Sequence, residues 1–438
     1  MSKNILMIFT DQMHKYALGC LSSFVKTPNL DRLASEGTLF TNAYSNNPVC
    51  TPFRGLLYSG RYSMDCGVQN NCDAISPNEL CLPDELHALG YDTSFVGKLH
   101  LGDKGNCPVP RKFWAGHNHF IGYQCYNGFL KDVCFYDENQ TEHRFESHRT
   151  DVTAQLGIER LRELAAQDKP FMETIFFQAP HYPEQPSPEY EALYDGVEFP
   201  MPECFAPVQP YTPTQSPPSP RPFELCPDYQ RYGNDIQMYL KLYYGMVSQI
   251  DANVGKILDE LEKLGLADDT MILFSADHGD MQGSHGLVNK CLPFERSCGI
   301  PLIVKIPGMK QVPVVDTPVS AVDYYPTCME IAGSSSRKTL PGKSLLPLIS
   351  GEKTDHPAVF AENHLGKQDW FMLRNDTYKL IVNGSTSKPT DLYDMENDPT
   401  ESRNLVEDAA YSEVVKTMSE QLAAITAGYQ PSLKRRIV

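Results

Sequence analysis

Short runs of apolar residues alternate with segments of helical periodicity along most of the chain. Two longer segments, 151–166 and 237–264, carry apolar residues three and four positions apart, the spacing of one helix face. A short helix is predicted at 28–36, because Pro28 suits a first helical turn and Gly37 a helix end. Such alternation predicts an α/β fold with a large mixed, mostly parallel sheet sandwiched by helices. The predicted strands are residues 4–10, 92–97, 171–177, 271–276 and 301–306.

The pattern changes at about residue 354, where the helical segments give way to strand-like runs separated by turns. These runs cover residues 358–362, 370–382 and 391–394, and one final helix follows them. Consecutive short strands with turns between them predict an antiparallel sheet. We therefore expect an α/β catalytic domain over residues 1–353 and a smaller C-terminal subdomain over residues 354–438.

Two long segments interrupt the alternation. Residues 103–149 are rich in aromatic residues, histidine and glycine and show no sustained period, and residues 200–227 repeat proline at short intervals. Long irregular segments in a compact domain are usually functional loops or disorder. We interpret the first as a wall of the substrate pocket and the second as a surface excursion.

Composition and charge narrow the class of protein. The formal net charge of −17 disfavours nucleic acid and anionic membranes as partners, because both require a basic surface. The longest apolar runs, such as residues 5–9 and 271–274, are too short to span a bilayer. The amino terminus shows no secretory signal, and the 13 cysteines include no CxxC pair. We therefore expect reduced thiols and a cytoplasmic location.

Polar side chains with catalytic potential follow four of the predicted strands. In open α/β sheets ligands bind beyond the carboxyl ends of the strands, so these residues are expected at one edge. A single aspartate or histidine after a strand is more often an ordinary loop residue, whereas the four together favour a shared site. The residues concerned are Asp11 and Gln12, Lys98 and His100, His181, and Asp277 and His278.

Three of these residues suit a metal ion. Asp11 and Asp277 offer carboxylate oxygens, which Ca²⁺ and Mg²⁺ prefer, and the imidazole of His278 keeps Mn²⁺ and Zn²⁺ open. The structural alternative is that Asp277 caps the turn in Asp-His-Gly-Asp. The sequence alone leaves both interpretations open.

The segment from Cys50 to Arg61 carries the most specific chemistry. Pro52 can start a helix, which places Cys50 just before a helix amino terminus, where backbone N–H groups favour anions. Arg54 can donate two hydrogen bonds to a tetrahedral oxyanion. This pattern predicts a nucleophile in an anion-binding turn. A buried structural thiol is the alternative, and it is the commonest role of a free cysteine.

Cys-x-Pro-x-Arg at residues 50–54 resembles the signature of type I sulfatases, which belong to the alkaline phosphatase superfamily. In that family a maturation enzyme oxidises the cysteine to formylglycine. Phe53 stands where Ser or Ala is usual, and the cysteine, proline and arginine are kept. The resemblance extends over nearly the whole chain, through the segments 27–44, 97–102, 179–181, 275–290 and 392–405.

The resemblance implies a role for each residue of the site. Cys50 becomes formylglycine and, with Asp11, Gln12, Asp277 and His278, holds a divalent cation, Ca²⁺ being expected and Mg²⁺ or Mn²⁺ the alternatives. Gln12 and His278 replace the Asp and Asn of many members. Arg54, Lys98 and Lys290 are expected to stabilise the sulfate oxygens. His181 is the expected general acid and His100 the base that releases the bound sulfate.

The substrate is expected to be a small-molecule sulfate ester, and we favour a sulfated sugar over an aryl or steroid sulfate. Aromatic and hydrogen-bonding side chains in irregular segments suit a sugar, although they could equally form a small aromatic core. A phosphonate monoester or phosphodiester hydrolase of the same superfamily is the nearest alternative, and a non-catalytic anion-binding protein is a more distant one. The candidate substrate residues are Trp114, His117, His119, Glu362, His364 and Trp370.

Overall fold

A computed structural model describes residues 3–71, 73–102, 105–201, 204, 235–364 and 369–427. Its main feature is an eleven-stranded mixed sheet in the order β10-β2-β9-β8-β1-β7-β3-β4-β5-β6, with β11 paired to β2. The strands of this sheet are β1 Asn4–Asp11, β2 Thr38–Tyr44, β3 Asp92–Lys98, β4 His119–Tyr123, β5 Val133–Tyr136, β6 Glu142–Phe145, β7 Phe171–Pro180, β8 Thr270–Ala276, β9 Gly299–Lys305, β10 Val314–Val315 and β11 Val319–Ser320.

The centre of the sheet is parallel and completely buried. β1 pairs in parallel with both β7 and β8, and β7 pairs in parallel with β3. Antiparallel pairs lie farther out, between β8 and β9, β2 and β9, β4 and β5, and β5 and β6. Strands covered on both faces carry continuous apolar runs, which explains why the sequence predicted them well.

Helices cover both faces of the sheet. The described helices are α1 Pro28–Glu36, α2 Cys50–Ser59, α3 Ser63–Cys66, α4 Leu82–Ala88, α5 Arg149–Ala165, α6 Pro188–Ala192, α7 Ile236–Lys263, α8 Glu295–Cys298, α9 Tyr324–Ile331, α10 Leu346–Ser350 and α11 Ser412–Ile425.

Successive side chains of β7 show the two layers, because neighbours on a strand point to opposite faces. Ile175 lies against Gly157 of α5, which packs on α7. Phe176 points the other way, stacks on Phe9 and lies under the guanidinium of Arg54 from α2. The α/β architecture predicted from the sequence is confirmed.

A separate four-stranded antiparallel sheet follows in the chain, as predicted. Its strands are β12 Val359–Asn363, β13 Trp370–Arg374, β14 Tyr378–Asn383 and β15 Pro389–Asp394, paired in chain order. Helix α11 packs on one face, and Tyr44 and Cys298 of the large domain pack on the other. The domain boundary at residue 353 stays a prediction.

A buried ionic cluster joins this sheet to the large domain. Lys379 from β14 is completely buried and contacts Glu295 and Glu401, and Lys15 contacts Glu295 from the other side. Buried charges are costly unless they are paired, so these four side chains fix the two parts against each other.

One irregular segment of the sequence is more ordered than expected. Residues 103–149 contain β4, β5 and β6, which extend the large sheet at one edge. These strands have four or five residues each, too few to show a period in the sequence. The proline-rich segment 200–227 lies almost entirely outside the described residues.

Two further observations concern the setting of the protein. No helix in the described ranges is both long and apolar enough to cross a membrane. The cysteines that the structure describes are all free thiols. The cytoplasmic location stays a prediction.

Candidate active site

The residues at and just beyond the carboxyl ends of four neighbouring strands lie at one edge of the large sheet. The strands β8, β1, β7 and β3 are adjacent and parallel, so their carboxyl ends lie together. Seven residues at or just beyond these strand ends are buried, with at most 5% of the surface of any one exposed. They are Asp11, Gln12, Lys98, His100, His181, Asp277 and His278.

Asp11, Cys50, Asp277 and His278 form a tight cluster. Their ligand atoms all lie within 4.8 Å of one another. The Nε2 atom of His278 lies 3.6 Å from Oδ1 of Asp11 and 3.4 Å from Oδ1 of Asp277. Burial and the nearby Asp11 carboxylate raise the pKa of Asp277 to about 6. A cation between the two acids would relieve this repulsion.

Arg54 is completely buried and joins the two carboxylates. Its Nη2 donates to Oδ2 of Asp11 at 3.0 Å and to Oδ2 of Asp277 at 3.2 Å, and Nη1 donates to the carbonyl oxygen of Lys98. The guanidinium also lies on the ring of Phe176, 3.5 Å from its centroid. Arg54 therefore holds the two acids in place, and its expected contact with sulfate oxygens stays a prediction.

Cys50 is the first residue of α2, whereas the sequence placed it just before the helix. Its Sγ lies 3.2 Å from Nζ of Lys290, 3.3 Å from Nε2 of His278 and 3.5 Å from Oδ1 of Asp11. Burial disfavours the thiolate, but Lys290, Lys98 and His278 outweigh it and hold the pKa of Cys50 well below its ordinary value. Position 50 is thus an anion-stabilising position.

Gln12 presents its amide oxygen to the same cluster. Its Nε2 donates to Oδ2 of Asp280 at 2.5 Å, and its Oε1 accepts from Nζ of Lys290 at 3.0 Å. The backbone N–H of Gln12 donates to Oδ1 of Asp277 at 3.0 Å. An ionised Asp280 carboxylate has no donor, so it bonds the amide nitrogen of Gln12 and leaves the amide oxygen facing the site.

The two histidines both interact with the side chain of Cys50. His181 has its Nε2 4.0 Å from Oδ1 of Asp11, and its Nδ1 bonds the carbonyl oxygen of Tyr182 at 2.8 Å. Burial, Lys290 and Lys98 lower the pKa of His181 to about 4. His100 interacts with Cys50 through its side chain, and its carbonyl oxygen accepts from the hydroxyl of Thr51 at 2.8 Å.

Lys98 and Lys290 complete the positive charge of the site. Lys98 donates from Nζ to Oδ2 of Asp11 at 2.6 Å and has no exposed surface. Together with Arg54 they concentrate three buried cations in a protein whose net charge is −17. Such a cluster suits an anionic group.

The donor set fits a divalent cation. Two carboxylates and the His278 imidazole surround position 50, and the Gln12 amide oxygen accepts from Lys290 beside it. All four side chains are completely or almost completely buried. Oxygen-rich sets of this kind suit Ca²⁺ or Mg²⁺, and one imidazole also suits Mn²⁺.

Three of the six candidate substrate residues lie next to the loops that carry the site. The backbone N–H of Glu362 donates to the carbonyl oxygen of Asn46 at 2.8 Å, and its carboxylate contacts His364. The indole Nε1 of Trp370 donates to the carbonyl oxygen of Cys291 at 3.0 Å.

The other three candidates are placed elsewhere. Trp114 is 1% exposed, stacks on Phe120 and donates from Nε1 to a backbone carbonyl. His117 packs edge-on against a tyrosine and a phenylalanine of the core. His119 opens β4 and bonds Asp92 at the amino end of β3, the edge opposite the site. The first two belong to the aromatic core that the sequence left as an alternative.

Two residues of the site were not predicted. Asp280 and Tyr239 form a chain behind Gln12, since the hydroxyl of Tyr239 donates to Oδ2 of Asp280 at 2.8 Å. Asp280 stands three positions after Asp277 in Asp-His-Gly-Asp and could have been suspected from that spacing. Tyr239 lies in the middle of a helical pattern and carries no such signal.

Comparisons with known proteins agree with this geometry. The sulfatase family model matches residues 3–334, and a model described as N-sulphoglucosamine sulphohydrolase, C-terminal, matches residues 283–428. An uncharacterised sulfatase, YidJ, of Escherichia coli is 27% identical over 96% of this chain and 86% of its own length. An N-acetylglucosamine-6-O-sulfatase of Bacteroides thetaiotaomicron is 25% identical over 98% of this chain and 87% of its own length.

A solved structure shares the fold. It is BT4656 in complex with its substrate D-glucosamine-2-N,6-O-disulfate, with a TM-score of 0.85, 23% identity and coverage of 98% of both chains. At this identity the likeness concerns the fold alone.

Proposed function

Since this chain belongs to the sulfatase family, we propose that it hydrolyses a carbohydrate sulfate, with Cys50 oxidised to formylglycine and a divalent cation beside it. The observation that carries the proposal is the convergence of Asp11, Asp277 and His278 on position 50. Carboxylate oxygens favour Ca²⁺ as the cation, with Mg²⁺ or Mn²⁺ as alternatives.

Hydrated formylglycine would supply one hydroxyl that attacks sulfur and a second whose proton loss allows sulfate to leave. The bound cation would lower the pKa of the attacking hydroxyl. An unmodified thiol or hydroxyl at position 50 has no second hydroxyl, which is the chemical reason for the modification.

The lysines and the arginine stabilise the charge that develops on the sulfate group. Lys290 lies beside position 50 and is held by Gln12, so its ammonium faces the place of the reacting oxygen. Lys98 and Arg54 are fixed by Asp11, so their charge needs no rearrangement during the reaction. Preorganised charge of this kind is usually the largest contribution to such catalysis.

The histidines move protons. His181 donates a proton to the leaving alcohol oxygen in this proposal, and the contact of its Nδ1 with the Tyr182 carbonyl points Nε2 into the site. Its low pKa of about 4 belongs to the substrate-free site, where burial disfavours the imidazolium and Lys290 and Lys98 repel it. A bound sulfate ester is anionic and raises that pKa. His100, whose side chain interacts with Cys50, takes the proton from the second hydroxyl in this proposal.

The sugar substrate rests on two comparisons: a relative is named an N-acetylglucosamine-6-O-sulfatase, and a structural neighbour was solved with a glucosamine disulfate. A panel of sulfated monosaccharides, nitrophenyl sulfate and phenyl phosphonate esters tests it, with the matured protein and defined Ca²⁺, Mg²⁺ or Mn²⁺. We expect the largest kcat/KM on a sulfated sugar. A larger value on nitrophenyl sulfate would indicate an aryl sulfatase, and a larger one on the phosphonate would indicate a phosphonate monoester hydrolase.

Maturation requires a partner in the cell, which we propose is a formylglycine-generating enzyme. Residues 50–54 are all buried, and Phe53 packs edge-on against Phe9 in the core. The modifying enzyme must therefore reach this segment before the chain folds. Phe53 points into the core, where the smaller Ser or Ala of other members would leave a cavity in this chain.

A further inference from the structure

Lys290 lies on an unusual stretch of backbone. The residues on both sides of it, Asn289 and Cys291, have positive φ angles of 72° and 77°. Residues other than glycine adopt this conformation at a cost, and it persists where neighbouring groups hold it. The conformation of this segment therefore depends on contacts that lie outside it.

Three hydrogen bonds hold the two flanking residues. The carbonyl oxygen of Asn289 accepts from the N–H of Met281 at 2.8 Å, and the N–H of Cys291 donates to the carbonyl oxygen of Pro48 at 3.3 Å. The third comes from the C-terminal sheet, where Nε1 of Trp370 donates to the carbonyl oxygen of Cys291 at 3.0 Å. Cys291 thus connects Trp370 with the loop that precedes Cys50.

Trp370 is itself firmly placed. It is the first residue of β13, pairs with Asn363 and Asn383 on the neighbouring strands, and is 7% exposed. Its ring packs with Tyr44 and Cys298 in the core between the two sheets. The indole N–H is therefore a fixed donor that the C-terminal sheet supplies to the Lys290 segment.

We infer that Trp370 is a positioning residue for Lys290. Its hydrogen bond to the neighbouring carbonyl fixes the backbone from which Nζ of Lys290 reaches Cys50 and Gln12 at 3.2 and 3.0 Å. This inference rests on the proposed function, in which Lys290 stabilises the sulfate group. The indole N–H of Trp370 is used within the protein, and the substrate contact expected from the sequence stays a prediction.

A double-mutant cycle tests the inference on the full-length matured protein. Trp370→Phe keeps an aromatic ring and removes the N–H, and we expect kcat/KM to fall about tenfold to a hundredfold, as for other small displacements of a catalytic group. In a Lys290→Met background the same substitution is expected to change kcat/KM less than about twofold, since the group it positions is absent. An equal loss in both backgrounds contradicts the inference and leaves Trp370 with a packing role only.

The chain offers a matched control in its other tryptophan. Trp114 also donates a buried indole N–H to a backbone carbonyl, that of Val109 at 2.8 Å, within the core. Trp114→Phe removes the same kind of bond. It is expected to lower the thermal midpoint about as much as Trp370→Phe does, while kcat/KM stays within about twofold of the parent. A loss of kcat/KM as large as that of Trp370→Phe would show that the effect is not specific to the Lys290 segment.

Binding of inorganic sulfate separates this inference from the proposed function. By calorimetry we expect Trp370→Phe to weaken sulfate binding about tenfold and Trp114→Phe to leave it unchanged. This comparison can be made even if the protein turns over no sulfate ester. Absence of turnover would contradict the proposed function and leave the inference about Trp370 open to this binding test.

If Trp370→Phe does not fold, the Trp114→Phe chain, whose single tryptophan is Trp370, decides the question. Binding of sulfate beside Lys290 should then shift the fluorescence emission of Trp370, because its indole N–H is bonded to the neighbouring backbone. Unchanged emission under conditions where calorimetry shows bound sulfate contradicts the inference.

Discussion

At the scale of single residues, the polar side chains of the site fix one another through ion pairs and hydrogen bonds. Arg54 and Lys98 are fixed by Asp11, and Lys290 is fixed by Gln12. The sequence predicted that Asp11 and Lys98 lie close together, because each stands at the end of a buried strand that the apolar pattern indicates. It did not predict their pairing, such as the use of Arg54 on two acids, because pairing depends on side-chain geometry across elements far apart in the chain.

The two histidines are expected to fail at different steps when they are replaced. His100→Ala should give a burst of alcohol product followed by stalling, because the base that releases sulfate is missing. His181→Ala should slow the burst itself, and least for substrates with good leaving groups. Rapid-quench kinetics on a series of leaving groups measures both. Identical kinetics for the two variants would show that the assigned roles are wrong.

At the scale of elements, the five strands predicted for the large sheet lie within a few residues of β1, β3, β7, β8 and β9. The sequence did not predict β2, β4, β5, β6 or the two-residue strands β10 and β11. β1 and β8 carry continuous apolar runs, whereas β4, β5 and β6 are short and lie toward the edge of the sheet. The same lack of periodicity made Trp114 and His117 ambiguous between pocket and core. Only tertiary contacts, such as the stacking of Trp114 on Phe120, decide between them.

A buried carboxyl in β7 makes a prediction about stability. Glu173 faces α5 with no exposed surface, and neither carboxyl oxygen has a hydrogen-bond partner among the described residues. Burial raises its pKa well above the ordinary value, although Arg160 opposes the shift and Glu163 adds to it.

In the folded state Glu173 keeps a proton that it releases in the unfolded state. The free energy of unfolding is therefore highest below the pKa that Glu173 has in the unfolded chain. It falls by up to about 1.4 kcal/mol per pH unit as the pH rises toward the folded pKa. Glu173→Gln should remove this decline, as urea unfolding at pH 5 and pH 7.5 would show. The exposed Glu159→Gln on α5 is the control and should retain it. An unchanged decline in Glu173→Gln would contradict the assignment.

At the scale of the whole molecule, the C-terminal sheet completes the site that the large sheet begins. Trp370 reaches the Lys290 segment, and Lys379 enters the ionic cluster with Glu295 and Glu401. The sequence predicted the second sheet from its strand-like runs. It did not predict that this sheet supports the active site, because the contacts of Trp370 with Cys291 and of Lys379 with Glu295 join residues more than 70 positions apart.

Breaking the ionic cluster should therefore loosen the attachment of the C-terminal sheet. Lys379→Met leaves the buried carboxylate of Glu401 uncompensated, and we expect about 3–5 kcal/mol lower stability. Lys305→Met, which breaks the more exposed pair with Glu36, is the control and should cost less than about 1 kcal/mol. Chemical denaturation measures both, and equal losses would contradict a linking role for the cluster.

The most direct test of the account is the chemical state of residue 50 measured together with turnover. Mass spectrometry of the peptide that contains Cys50 should show an aldehyde or its hydrate in matured protein, and kcat should rise in proportion to the aldehyde fraction across preparations. Cys50→Ser, shown by the same method to carry only an alcohol, should release product once at most. Sustained hydrolysis of a sulfate ester by protein that carries only a thiol, Ser or Ala at position 50 would contradict the account.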